Sequence, residues 1–147
     1  MSRSASPNAV LLDTCAVIWL ANGDPLANSA AAAILHAGSA DGIFVSPVSA
    51  WEVGLLSKPR TGRNVAVRFT PDPKTWFARV MAHPGLREAS LTSEIAIDAS
   101  FLPGELHGDP ADRLIVTSAR HLGVPIVTRD RRIIAYGRDG RVRVIPC

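Results

Sequence analysis

Cysteine is scarce in this chain: Cys15 and Cys147 are the only two among 147 residues. With no Cys-x-x-Cys pair and no Cys/His ligand spacing, neither a disulfide framework nor a zinc site is expected, and a reducing cytoplasm is the default compartment. Also missing is an apolar run of the ~20 residues that a bilayer span requires. The longest such stretch, residues 9–21, is interrupted by Asp13, so no membrane association is expected. Arg3 ahead of that stretch imitates the start of a secretory signal, and the carboxylate in its centre argues against one. Lysine is rare as well: 14 of the 16 basic side chains are Arg.

What is present describes a folded domain. A chain that is 47% hydrophobic and 20% charged is not disordered. Its 147 residues match one domain, so residues 1–147 are expected to share a single core with no help from metal or disulfide. The net charge of +3 is weak evidence by itself, because a solvated Arg-rich surface accounts for it. The distribution says more. Lys58, Arg60, Arg63, Arg68 and Lys74 face only Asp72, and six Arg between positions 129 and 143 face only Asp130 and Asp139. Two basic stretches suit a polyanion, which Arg binds through a planar fork.

Short apolar runs alternate with helical patterns. Residues 9–12, 43–45 and 124–127 read as strands buried on both faces, 86–91 as a further strand, and 141–145 as an edge strand. Between them, helices are expected over 14–21, from Asn28 or Ser29 to His36, over 47–56 behind a Ser46-Pro47 start, over 71–83, from Thr92 or Ser93 to Leu102, over 111–122 behind Asp109-Pro110, and from Asp130 to Tyr136. Residues 60–70 read as a basic loop with a short strand over 65–67. The alternation predicts an α/β fold with a mainly parallel sheet, whose functional groups belong at the carboxyl ends of the strands.

Four acids stand at or just beyond those ends: Asp13, Glu52, Asp112 and Asp130. Three have ordinary structural readings. Glu52 fits a capping box with Ser49, Asp112 suits the first turn of a helix that Asp109 caps, and Asp130 suits a helix cap. Asp13, between two hydrophobic runs, has none. Carboxylates gathered at strand ends repel one another unless a cation neutralises them, and an oxygen-only set selects Mg²⁺ or Mn²⁺. The histidines, His36, His83, His107 and His121, fall on separate elements with no nucleophile beside them and read as structural or surface groups. Trp19, Trp51 and Trp76 read as core or dimer packing rather than base-stacking platforms.

In order along the chain, Leu11-Leu12-Asp13-Thr14, Ser46-Pro47-Val48-Ser49-Ala50-Trp51-Glu52-Val53, His107-Gly108-Asp109-Pro110-Ala111-Asp112-Arg113-Leu114 and Val127-Thr128-Arg129-Asp130 resemble the PIN-domain family, and within it the VapC ribonuclease toxins of toxin–antitoxin pairs. The resemblance spans nearly the whole chain, although between positions 60 and 90 it is limited to a basic loop and a Trp-bearing helix. It implies a three-layer α/β/α domain and an endoribonuclease that uses Mg²⁺ or Mn²⁺, with Asp13, Glu52, Asp112 and Asp130 as the acidic catalytic and metal-holding site; on charge, Asp13 and Asp112 are expected to bind the metal with Glu52 and Asp130 assisting. It further implies a homodimer silenced by a small VapB-like antitoxin. On this reading Thr14 and Thr128 hydrogen-bond a carboxylate or the substrate. Asp109 is either a pure cap or a supporting acid, and Arg60, Arg63, Arg68 and Arg129 hold RNA phosphates. The rival is a PIN-like module that binds RNA or protein without cutting, which predicts loss of a site acid; all four are present. Aspartyl phosphatases want a second Asp where Cys15 stands. Receiver domains want adjacent acids before their first helix.

Overall fold

A computed structural model describes residues 8–59, 67–106 and 108–147. The central strand β1 (Ala9–Leu12) has no polar residue and is buried throughout. It pairs in parallel with β2 (Gly42–Val45) on one side and β4 (Ile126–Thr128) on the other. Outward from these lie β3 (Leu86–Glu88) and β5 (Val144–Pro146), giving the order β3-β2-β1-β4-β5 with every pairing parallel. Successive strands move outward on one side, then the chain crosses to β4 on the other. The switch point therefore opens between the carboxyl ends of β1 and β4.

Alternation along β1 divides the core. Ala9 and Leu11 face α6 (Pro110–Leu122) and α7 (Arg131–Arg138), packing with Ile115, Val116, Ala119, Ile133 and Tyr136. Val10 and Leu12 face the opposite layer, built from α1 (Thr14–Asn22), α2 (Asn28–Gly38) and α4 (Pro73–Met81). A satellite of Ile18, Val53 and Phe69 ties α1 to α3 (Pro47–Leu56), and α5 (Ser93–Ser100) packs on α6. The expected three-layer architecture is present, and the sheet is wholly rather than mainly parallel. No helix among the described residues is long and apolar enough to cross a membrane.

Local chemistry explains most boundaries. The Ser46 hydroxyl accepts from Val48 N at 3.0 Å with Pro47 behind it, and Thr92 caps α5 in the same way. Gly123 closes α6 at φ 70°, a left-handed conformation that glycine adopts without a Cβ penalty. Several expected limits shift. The helix expected from residue 71 begins at Pro73 because Asp72 takes the cap, accepting from Thr75 N at 2.8 Å. Neither Asn28 nor Ser29 caps α2, whose cap position is Ala27 with no side-chain bond. The strand expected over 86–91 ends at Glu88, and the edge strand occupies Val144–Pro146. Of the short strand expected over 65–67, Val65 and Ala66 lie outside the described residues and Val67 is not in a strand.

Candidate active site

The backbone ladder between β1 and β4 continues one residue beyond β1, where Asp13 N donates to Val127 O at 3.1 Å. This sets Asp13 beside Thr128, and the two side chains then bond directly: the Thr128 hydroxyl donates to Asp13 Oδ2. The other carboxylate oxygen, Oδ1, accepts from Ala16 N at 2.8 Å, so Asp13 is also the N-cap of α1. Asp13 thus has the structural role that its sequence context concealed. Thr128 in turn accepts from Asp130 N at 2.9 Å, and Asp130 Oδ1 caps α7 through Arg132 N and Ile133 N.

Glu52 belongs to a second network. Ser46, not Ser49, caps α3, which rules out the capping box for Glu52. Ser49 and Glu52, three residues apart on one helix face, both reach Thr14. The Thr14 hydroxyl donates to Glu52 Oε1 and accepts from the Ser49 hydroxyl at 3.0 Å. As a site residue Ser49 escapes the sequence reading; its signal is that it precedes Glu52 by one helical turn. Asp109 caps α6, its Oδ1 accepting from Ala111 N at 2.9 Å and Asp112 N at 3.3 Å, and its charge also acts on Asp112. Asp112, in the first turn of α6, is left to face the cluster.

Glu52 and Asp130 act on both Asp13 and Asp112. Burial raises the Asp13 carboxyl above its ordinary range against the opposing bonds from Thr128 and Ala16, and Asp130 and Glu52 raise it further. Burial, then Asp109, Asp130 and Glu52, push Asp112 up to about 7. Exposed Cys15 feels all four acids: partial desolvation of its sulfur and then Asp13, Glu52, Asp112 and Asp130 push its thiol up to about 11. The N-termini of α1, α6 and α7 carry three of these carboxylates, and their unpaired backbone N–H groups partly offset the repulsion.

The donor set fits a hard divalent cation, since every group is a carboxylate or hydroxyl oxygen. Among the described residues, no three Asp, Glu, His or Cys side chains already stand as a closed ligand cluster. The four expected acids are thus linked by Glu52 and Asp130 acting on Asp13 and Asp112, without a preformed shell among the described residues. That arrangement suits Mg²⁺, which is held by one or two carboxylates and keeps several of its waters.

The basic residues divide. Arg60 and Arg63 lie outside the described residues, and Arg68 is exposed. Arg129, expected on phosphate, instead braces the chain. Its Nε donates to Cys147 O at 2.6 Å, Nη2 donates to Pro25 O at 3.0 Å, and its charge lies 3.9 Å from the Trp19 ring centroid. Trp76 is core, edge-on to Phe69 at 4.8 Å, whereas Trp51 is 58% exposed and lies outside the core. His36 bonds Asn8, His121 bonds Asp98 and His83 is exposed, while His107 lies outside the described residues.

The sequence profile of the PIN domain matches residues 10–139, from β1 to beyond α7. The chain belongs to the PIN-domain family. Ribonuclease VapC22 of Mycobacterium tuberculosis is 33% identical over 136 residues, covering 92% of this chain and 97% of that protein. A chain in the crystal structure of VapBC2 from Rickettsia felis, bound to a DNA fragment from their promoter, matches with a TM-score of 0.66 at 15% identity, over 94% of this chain and 98% of that one. FitAcB from Neisseria gonorrhoeae matches with a TM-score of 0.50 at 18% identity, over 92% and 96%. These two similarities support the PIN fold. The acidic cluster of this PIN domain sits at the switch point of that sheet.

Proposed function

We propose that this PIN-domain chain, a single domain over residues 1–147, is a Mg²⁺- or Mn²⁺-dependent endoribonuclease acting in the cytoplasm as the toxin of a toxin–antitoxin pair. The observation that carries the reading is that Glu52 and Asp130 act electrostatically on both Asp13 and Asp112 at the strand ends, with Asp112 pushed up to about 7 by burial and its acidic neighbours. Such a group loses its proton readily once a cation offsets those neighbours. The name of the mycobacterial ribonuclease supports the same reading.

Asp13 and Asp112 are the ligands in this assignment. Thr128 fixes the Asp13 carboxylate in one rotamer, and Thr14 does the same for Glu52. A divalent cation, when bound, stabilises charge on the scissile phosphate and lowers the pKa of water. Glu52 and Asp130 orient the attacking water and hold its proton. Cleavage by water leaves a 5′-phosphate and a 3′-hydroxyl, with the RNA 2′-hydroxyl taking no part. Arg60, Arg63 and Arg68 position the phosphates flanking the cut. Homodimerisation would cover the apolar side chains that α3 and α5 leave in solvent, Trp51 and Leu55 with Ile97 and Phe101. A VapB-like antitoxin is the partner that keeps the enzyme silent.

The test is single-turnover cleavage of a mixed RNA pool with end-group analysis, alongside calorimetry of Mg²⁺ and Mn²⁺ binding. Asp13→Asn and Asp112→Asn should weaken metal binding, and loss of one such charge-stabilising group should slow turnover by about 10²-fold or more. Cyclic-phosphate ends, or unchanged metal binding in both variants, would refute the assignment; RNA binding without any cleavage by the parent would favour the non-catalytic module.

A further inference from the structure

The amino ends of β4 and β5 and the carboxyl ends of α6 and α7 enclose an open cleft of about 920 Å³, at the far end of the sheet from the acids. Its charged lining residues are Arg120, Arg138, Arg141 and Arg143, and no Asp or Glu lines it. Arg120 and Arg138 stand in the last turns of α6 and α7, where a cation offsets the helix dipole, so those two have a structural explanation. That explanation does not reach Arg141 and Arg143, which come after α7. Arg138, Arg141 and Arg143 are all exposed.

The cleft is also ordered. Arg120 donates to the Arg141 carbonyl and Arg143 donates to the Gly123 carbonyl, bonds that tie the end of α6 to the segment leading into β5. In Arg143 that bond uses a single donor of the guanidinium's five. The floor contains Val124, Ile134 and Val144, so the cleft is an apolar trough with a cationic rim. A sugar–phosphate backbone, with apolar ribose faces and anionic oxygens, matches both parts.

Asp112 and Gly123 lie eleven residues apart along α6, or about 17 Å at a rise of 1.5 Å per residue. An A-form RNA stem rises less per base pair than the about 3.4 Å of B-form DNA, so a stem of about six base pairs reaches from the acids to the cleft. We propose that this cleft is a second RNA site, gripping the backbone of a stem that adjoins the cleaved strand. The assignment rests on the ribonuclease reading of the acidic site.

Binding is measured by fluorescence anisotropy in EDTA at several salt concentrations, with a stem–loop RNA bearing a single-stranded extension and with a four-nucleotide single strand. Arg138→Ala with Arg141→Ala should weaken stem–loop binding about tenfold and lower the log–log salt slope by about 2, near one unit for each phosphate that is no longer held. The tetranucleotide should bind as it does to the parent, and Arg138→Lys with Arg141→Lys should retain most stem–loop affinity. Thermal melting of each variant controls for folding. Equal losses for both RNAs, or an unchanged slope and affinity for the stem–loop, would overturn the cleft assignment while leaving cleavage by the parent intact. Stem–loop binding that depends on these arginines, in a parent that cuts no RNA, would support the cleft and sink the ribonuclease reading instead.

Discussion

Neutralising a site acid should make this protein more stable, and Asp112 is where the effect is largest for its exposure. Its carboxyl is raised from 3.8 to about 7, first by burial and then by Asp109, Asp130 and Glu52. The folded state therefore keeps a proton that the unfolded chain releases between about pH 4 and pH 7. Stability falls as pH rises through that window; the cost is absent below it and fully present above it. Three units at 1.36 kcal/mol each set a ceiling of about 4 kcal/mol. Asp112 is only partly buried, so water screens much of this, and the expected gain from Asp112→Asn is about 1–2 kcal/mol at about pH 8. For a domain of this size that corresponds to a rise in Tm of roughly 2–8 °C. Urea unfolding in EDTA should show the gain at about pH 8 and little of it at about pH 4, whereas saturating Mg²⁺ should stabilise the parent more than the variant. A variant no more stable than the parent at high pH, or a gain that does not change with pH, would refute the reasoning.

Thr128→Val removes the donor to Asp13 Oδ2 and the acceptor for Asp130 N while keeping the side-chain volume. It should cost about 1–3 kcal/mol in urea unfolding, the range for leaving a buried partner unsatisfied, and should weaken Mg²⁺ binding in calorimetry. Leu12→Ala, at a fully buried position of the central strand, should cost about 2–5 kcal/mol in the same unfolding assay. Trp51→Lys with Phe101→Lys should convert a dimer to a monomer in sedimentation and remove the concentration dependence of Tm, while the monomer still folds, because both side chains are exposed. Removing Arg68 should weaken RNA binding and flatten its salt dependence, read by filter binding at two salt concentrations, with little effect on the rate at saturating RNA.

The strands and the acids were legible because each leaves a local trace. The Ala9-Val10-Leu11-Leu12 run has no polar residue, so both of its faces must be covered, and the Ser46-Pro47 and Asp109-Pro110 pairs mark helix starts whose side-chain bonds are present. What escaped depends on distant partners. Thr14 and Thr128 each bond a carboxylate, one of the two roles expected of them, but nothing near Asp13 in sequence announces that its partner is Thr128, 115 residues away. Nothing near Arg129 announces the carbonyls of Pro25 and Cys147 that hold it. Trp51 has helical spacing that marks an apolar face, and spacing does not say whether that face meets the core or the solvent. Ala27 caps α2 with no side-chain bond, so a search for capping residues had no signal to find.

The central position of β1 also governs when the site forms. Its neighbours are β2, synthesised soon after it, and β4, which begins at Ile126. A chain emerging from the ribosome therefore carries Asp13 long before Thr128 and Asp130 exist. One edge of β1 is unpaired throughout that interval, and the acidic cluster is missing a member. On the proposed site assignment, a ribonuclease toxin built on this strand order is inert for most of its own synthesis, and its site becomes complete only when nearly the whole domain has been translated.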